Sequence, residues 1–372
     1  MAGREQKKKV LVLVIPSFKA GGLERVATTV ANYFARDGGY NVTIITLLPS
    51  TPFFTLNSGV DVLCAGNETS KGTLSKARRL FALRAALKKK QPAAVISFGS
   101  MYNSFVIASL LFTNIPIYIS DRSNPYRNTR LVFKGSALER HDGFFHYVMR
   151  RYLYPRANGL LAQTKLAIGI ENAIRRRPKR IIYFPNPIKR PTQISKVDKE
   201  DLIINVGRFI PTKNQVELVE IFATVSAPGW RLCLIGDGPE LQRVMCRAEE
   251  LQVADRVIFC GAVQDIQSWL ARAKIFAFTS LSEGFPNSLA EAMAHGLACI
   301  SYDCVAGPSD LIDDSENGYL VPPKDRAGFA EKLKSLMNDE DCRTKIAREA
   351  RRVADRFAVE KVMSQLQREL FD

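Results

Sequence analysis

At 372 residues, with 46% hydrophobic and 24% charged side chains, the chain has globular composition and enough length for two cores, which excludes a mainly disordered or fibrous protein. The formal net charge of +16 is uneven: residues 1–190 hold 31 Lys and Arg against 9 Asp and Glu, and residues 191–372 hold 22 against 28. A basic half of this kind implies a polyanion or an anionic membrane surface as partner, and no zinc-finger, RRM-like or KH-like spacing supports nucleic acid.

The N-terminal stretch MAGREQKKKVLVLVIP joins a basic head to an apolar run at 10–15. That run is too short for a signal peptide and lacks a small-residue cleavage site, so it reads as a first buried strand. Short β-branched runs then alternate with helical patterns: NVTIITLL, AAVISF, IPIYIS, GLLAQT, IIYFPN, DLIINVG, RLCLIG, RVIFCG, IFAFTS and ACISYD. With the first, these are eleven strands, whose continuous apolar character implies parallel sheets covered on both faces. Within 104–120, Asn114 and Pro116 separate a helix end from a strand, and the run falls short of the ~20 apolar residues of a membrane span. The chain is therefore expected to be soluble, or peripheral at most.

Eleven strands exceed one ordinary doubly wound sheet, and the Pro-rich polar stretch FPNPIKRPTQISKVDKED (184–201) reads as a linker. The expected organisation is an α/β chain of two facing Rossmann-like domains, 1–190 and 191–356, with a helix over 357–372 and ligands in the cleft between them. The seven cysteines contain no C-x-x-C pair and sit mostly in apolar runs, as reduced residues of a cytoplasmic protein do.

Chemistry-bearing residues gather in the βα loops. After DLIINVG, Arg208 and Lys213 stand beside Gly207 and ahead of a helical pattern; two cations at a helix N-terminus suit a diphosphate, although such a loop also serves as plain solvated charge. Gly236 and Gly238 in LIGDGPE permit a tight turn, but Leu241 occupies the place of a third dinucleotide-type glycine, which argues against a nicotinamide cofactor. Gly21 and Gly22 lie between the first strand and its helix, either as a ligand-facing backbone or as a connecting turn. In SEGFPNSLAEAMAHGLACI (282–300), Ser288 and Glu291 fit a capping box, leaving Glu283 as a loop charge. No metal set is apparent: Asp339, Glu340 and Asp341 fit a helix cap, and His141, His146 and His295 lack ligand spacing.

In this order and spacing, the Gly21-Gly22 loop, VGRFIPTKN, GDGPE, VIFCGAVQDI and Glu283-x7-Glu291 resemble glycosyltransferase family 4, retaining enzymes of the GT-B fold that use nucleotide sugars. The resemblance spans nearly the whole chain. It implies catalytic roles for Arg208, Lys213 and Glu283: the two cations on the donor diphosphate, the carboxylate at the donor sugar. It implies that the backbone of the donor-binding stretch Gly284, Phe285, Pro286, Asn287 and Ser288 caps the diphosphate with its N–H groups where a helix begins. Glu291 would accept from the ribose, the backbone at Val263 would read the base, and Gly22 would let the first domain close over the phosphate. No metal or other cofactor is required beyond the nucleotide-sugar co-substrate, expected to be UDP-linked. Where many relatives have a Glu-His pair after the strand matching IPIYIS, this chain has Asp121 and Arg122; Arg122 either bonds the donor or is a salt-bridged loop cation.

The same resemblance assigns the acceptor to the basic first domain and implies that the C-terminal helix, 357–372, crosses back to pack on that domain. LSKARRLFALRAALKKK (74–90) places Leu80, Leu83 and Leu87 at helical spacing among Lys76, Arg79, Lys88, Lys89 and Lys90. This is an amphipathic basic helix, meeting either a membrane or the core. IRRRPKR (174–180) and the loop SNPYRNTRLVFKGSALERH (123–141) add cations. The expected partners are thus a nucleotide-sugar donor, a glycan or glycolipid acceptor and an anionic membrane, with the protein at the inner face of the cell membrane. The competing readings are a UDP-sugar 2-epimerase on the same fold, which would need further catalytic carboxylates and histidines, and a non-catalytic basic binding module, which leaves Arg208, Lys213, Glu283 and Glu291 unexplained.

Overall fold

The computed structural model describes residues 8–18, 21–36, 39–66, 73–125, 144–191, 198–225 and 227–372. The chain divides into two compact units, residues 1–187 with 359–372, and residues 188–358.

The first unit is a seven-stranded sheet in the order β3-β2-β1-β4-β5-β6-β7, built from β1 (Lys9–Ile15), β2 (Tyr40–Thr46), β3 (Val60–Cys64), β4 (Ala94–Phe98), β5 (Ile117–Ser120), β6 (Gly159–Ala162) and β7 (Ile181–Tyr183). All its neighbouring strands are parallel. Its helices are α1 (Gly22–Ala35), α2 (Thr73–Lys90), α3 (Ser100–Ser109), α4 (Phe144–Leu153) and α5 (Lys165–Ala173). Alternate residues of the central strands feed two cores: Leu11, Leu13, Ile44 and Ile96 on one face, Val12, Val14, Ile45 and Val95 on the other. That is the period-two burial a doubly covered sheet imposes.

The second unit is a six-stranded parallel sheet in the order β10-β9-β8-β11-β12-β13. Its strands are β8 (Leu202–Val206), β9 (Arg231–Ile235), β10 (Val257–Gly261), β11 (Ile275–Phe278), β12 (Ala298–Tyr302) and β13 (Tyr319–Val321). Around them lie α6 (Gln215–Thr224), α7 (Leu241–Glu250), α8 (Ile266–Arg272), α9 (Asn287–Ala294), α10 (Pro308–Leu311), α11 (Arg326–Asn338), α12 (Glu340–Ala350) and α13 (Val353–Arg356).

The last helix, α14 (Val359–Phe371), belongs to the first unit. Val362, Met363, Leu366 and Leu370 join the core on the α1 side, Phe371 stacks against Tyr40 with centroids 4.9 Å apart, and Arg180 pairs with Glu369. The chain crosses between units at adjacent points, since the Ile188 N–H donates to the Phe357 carbonyl at 2.8 Å.

Two strands escape the sequence pattern. β3 and β13 are edge strands, the first largely exposed and the second only three residues long, so neither carries the apolar run of a buried parallel strand. In α2, Leu83 and Leu87 are fully buried and Leu80 is half-buried, which places the apolar stripe on the core. Leu74 and Phe81, each 66% exposed, stand on the opposite face. Most of the loop at 123–141, and the linker residues 192–197, lie outside the described residues. All seven cysteines are free, and among the described residues no helix is long and apolar enough to cross a membrane.

Candidate functional site

In the second unit β8 has β9 on one side and β11 on the other, so the loops leaving β8 and β11 diverge at the switch point of the sheet, where doubly wound folds bind ligands at their carboxyl edge. Arg208 and Lys213 lie on the first loop and Glu283 on the second. The two loops are stitched together: the Leu281 N–H donates to the Thr212 carbonyl at 2.8 Å, the Ser280 hydroxyl to the same carbonyl at 3.1 Å, and the Thr279 hydroxyl to the Asn214 carbonyl at 3.0 Å.

Across that seam the Lys213 ammonium is ion-paired with the buried Glu283 carboxylate and lies 5.6 Å from the centre of the Phe278 ring. An amine held between a carboxylate and an aromatic face has a fixed position. Cys304 is close enough to feel both charges, and burial pushes its thiol well above the usual range, so it stays neutral.

The glycines of GDGPE have a role within this unit. Gly236 has φ +142, and a Cβ there would come within 2.0 Å of the Gly207 carbonyl oxygen; Gly238 has φ +152, with a Cβ 2.4 Å from the Phe209 carbonyl oxygen. Both positions let the loop after β9 press on the loop after β8, where the Gly207 N–H donates to the Ile235 carbonyl and the Phe209 N–H to the Asp237 carbonyl, each at 2.9 Å. They fix the backbone that carries Arg208.

The helix after Glu283 starts differently from the capping-box expectation. Pro286 is the N-cap of α9 and no side chain caps it, so Ser288 lies one turn position inside the helix and Glu291 beyond the capping place. Proline takes the position because its φ suits a helix start and it lacks an N–H. Phe285 anchors the turn against Phe357, with centroids 6.0 Å apart, and Gly307, with φ +104, lets the loop after β12 lie against the Pro286 ring. The Asn287 N–H turns back to the Phe285 carbonyl at 3.0 Å. Gly284 and Glu291 are half-buried. His295 closes the helix, its Nδ1 2.8 Å from the Glu291 carbonyl oxygen, and burial holds its imidazole below the ordinary value. Val263 is half-buried in the loop after β10, next to the exposed Ala262 and Gln264.

In the first unit, Gly22 opens α1, behind an extended Gly21. Asp121 and Arg122 follow β5 and have separate environments. Asp121 accepts from the Asn103 amide at 2.7 Å, the Tyr154 hydroxyl at 3.0 Å and the Arg150 guanidinium at 2.7 Å. Arg150, buried and stacked at 4.1 Å over the Tyr154 ring, also pairs with the buried Glu171. Burial raises the Glu171 carboxyl despite this partner. Arg150, Glu171, Asn103 and Tyr154 belong to no motif that marks them in the sequence. Arg122 has no carboxylate partner within ion-pair distance among the described residues: its Nη1 donates to Asn186 and, at 3.5 Å, to the Phe184 carbonyl.

Among the described residues no group of three or more His, Cys, Asp or Glu could hold a metal ion. Asp339 caps α12 by accepting from the Cys342 N–H at 2.9 Å. His141 and the side chain of His146 lie outside the described residues.

The family described as glycosyl transferases group 1 matches residues 189–353. Over 357 residues, 93% of this chain and 94% of the relative, the sequence is 27% identical to the GalNAc-alpha-(1->4)-GalNAc-alpha-(1->3)-diNAcBac-PP-undecaprenol alpha-1,4-N-acetyl-D-galactosaminyltransferase of Campylobacter jejuni. Among solved structures, the apo lipopolysaccharide outer core galactosyltransferase WaaB superposes with a TM-score of 0.75 at 21% identity, covering 98% of this chain and 99% of that one. An Anabaena protein in complex with UDP superposes with a TM-score of 0.79 at 19% identity, covering 97% and 99%. The two sheets thus share the GT-B architecture.

Proposed function

We propose that this chain, whose residues 189–353 match the group 1 glycosyl transferases, is a transferase of that family that moves a hexose or N-acetylhexosamine from a UDP-sugar, with retention, to a hydroxyl of a lipid-linked glycan. The observation that carries this reading is the pairing of Lys213 with Glu283 across the switch point of the second sheet. A half-buried cation and a buried carboxylate held beside the start of α9 suit a diphosphate bonded to a sugar.

When a donor binds, its diphosphate takes Lys213 and Arg208, and Glu283, released from Lys213, accepts from sugar hydroxyls. The Asn287 N–H is turned back to Phe285, but the amides that follow it in the first turn of α9 lack intrahelical partners by the geometry of any helix start and add their dipole to the phosphate. Glu291 faces the ribose, the Val263 loop the base. As the glycosidic bond breaks, charge grows on the phosphate oxygen, and donors already in place there stabilise the transition state without a metal ion. Loss of one such group typically raises the barrier by roughly 3–4 kcal/mol. The acceptor hydroxyl attacks from the face the nucleotide leaves.

An undecaprenol-linked acceptor is named for the Campylobacter relative, and a membrane-borne acceptor accords with the basic first unit. There, Leu74 and Phe81 are exposed on α2 with Lys88 and Lys89, and Arg175, Arg176 and Arg177 are exposed after α5. Each cation near an anionic leaflet contributes about 1 kcal/mol, and the apolar pair gives the helix something to insert. Peripheral attachment at the inner face of the cell membrane follows.

The direct test is thermal unfolding with UDP, GDP, ADP and NAD, followed by turnover of a UDP-sugar panel. UDP at about 100 times its dissociation constant is expected to add roughly 2.7 kcal/mol. Stabilisation by NAD alone, or by no nucleotide, would refute the reading.

A further inference from the structure

At the carboxyl edge of the first unit's sheet, one row of residues is left with unanswered donors. Ser120, Leu161 and Ile182 pair across β5, β6 and β7, and two residues farther along come Arg122, Gln163 and Phe184. The Arg122 guanidinium reaches along this row, 4.7 Å from the Phe184 ring centre and 5.7 Å from that of Phe98. Its Nη1 is fixed by Asn186 and the Phe184 carbonyl.

Its Nε and Nη2 are shielded from solvent and have no hydrogen-bond partner among the described residues; the same is true of the Ser123 hydroxyl and of the amide nitrogen of Gln163, a residue only 3% exposed. Buried polar groups are nearly always satisfied, so orphans on two residues of one row, with a third on the residue after Arg122, call for a missing partner. The orphans here are all donors or, for the hydroxyl, able to donate. Nε and Nη2 lie on one edge of the guanidinium and offer two parallel N–H bonds, the fork that matches an oxyanion. Asp121 cannot serve as that partner from its present position, because Asn103, Tyr154 and Arg150 hold it.

We propose that the Nε/Nη2 edge of Arg122, with Gln163 and Ser123, forms a phosphoryl-binding site in the first unit, and that the phosphoryl group belongs to the acceptor. A phosphoryl group, with several free oxygens, answers more of these donors than a carboxylate does. The desolvated guanidinium, drawn down to about 9 by burial and only partly restored by Asp121, regains a counter-charge when the anion enters. Assignment to the acceptor rests on the transferase reading above; the site itself does not.

The test titrates inorganic pyrophosphate and, separately, UDP into the full chain by calorimetry. Arg208→Met with Lys213→Met removes the cations of the second unit, and that double variant is expected to retain one pyrophosphate site. Adding Arg122→Met should weaken this site about 10- to 100-fold, while Arg122→Met alone leaves UDP affinity within about twofold. Gln163→Glu supplies an internal carboxylate beside Arg122. It should abolish pyrophosphate binding in the double variant and raise the unfolding midpoint, which reads the same site even if Arg122→Met does not fold. Pyrophosphate binding that is absent from the double variant, or indifferent to Arg122 and Gln163, overturns the site. An equal loss of UDP and pyrophosphate on Arg122→Met overturns the acceptor assignment and gives the phosphoryl group to the donor. If the wild-type chain binds no UDP, the transferase reading fails while the pyrophosphate result stands.

Discussion

The two units answer the same problem, a cation at the carboxyl edge of a parallel sheet, in opposite ways. In the second unit Lys213 is compensated by Glu283, and the loops that carry them are bonded to each other. In the first, Arg150 is locked by Asp121 and Glu171, whereas its neighbour Arg122 keeps an unanswered edge. The contrast extends to the surface: among the described residues, every large apolar side chain that is exposed, from Phe53 to Tyr152, belongs to the first unit, which also carries the positive excess. A site whose charges are balanced in advance suits a small soluble ligand that exchanges partners; a surface with unspent cations and apolar side chains suits a large amphiphilic one.

Breaking the locked half of the first unit has the largest expected effect. Arg150→Met leaves Asp121 and Glu171 buried without their cation, and removing one partner of such a pair costs about 3–5 kcal/mol. Urea unfolding measures it; a loss below about 1 kcal/mol would show that solvent reaches these carboxylates after all. Next comes the poised half of the second unit. Lys213→Met should lower kcat by roughly 10²–10³-fold, as loss of one preorganised donor does. The folded state should tolerate it better than Arg150→Met, since only Glu283 loses a partner, and a UDP-sugar turnover assay beside the same urea series separates the two effects.

Much of this was legible from the residues, and the failures have physical causes. Eleven strands declare themselves because a strand covered on both faces must be apolar throughout. β3 and β13 do not, because an edge strand faces solvent or is too short. Arg208 and Lys213 could be placed at a sheet edge, since a loop following a buried strand must emerge there. The meeting of Lys213 with Glu283, 70 residues later, depends on β11 lying beside β8, and strand order is not written in local pattern. The capping box failed because Pro286 sets the helix start ahead of Ser288. The buried role of Arg150 left no local signal: a cation in a helix looks the same whether it meets water or two carboxylates.

A third intervention probes the stitching itself. Gly236→Ala puts a methyl group against the Gly207 carbonyl at a φ that L residues avoid, strain of about 1–3 kcal/mol. The β8 loop must shift to relieve it, taking Arg208 along, so both the unfolding midpoint and UDP affinity should fall. Gly229→Ala has a positive φ but open space around its Cβ and is the matched control. If both variants lose stability and keep UDP affinity, the GDG turn is a folding device with no hold on the site.

The smallest effect sharpens the surface half of the comparison. Leu83 and Leu87 are committed to the core, so only the outer face of α2 remains for a membrane. Phe81→Ser and Leu74→Ser are expected to weaken binding to vesicles of mixed phosphatidylcholine and phosphatidylserine by about 1–2 kcal/mol each, roughly tenfold, with folding and UDP affinity unchanged. Salt separates the two contributions: raising ionic strength screens Lys88 and Lys89 but leaves apolar insertion intact. Serine variants that bind as tightly as the wild type, beside a Lys88→Glu, Lys89→Glu chain that does not bind, would make the contact purely electrostatic. The exposed apolar residues would then have no part in what distinguishes the two units.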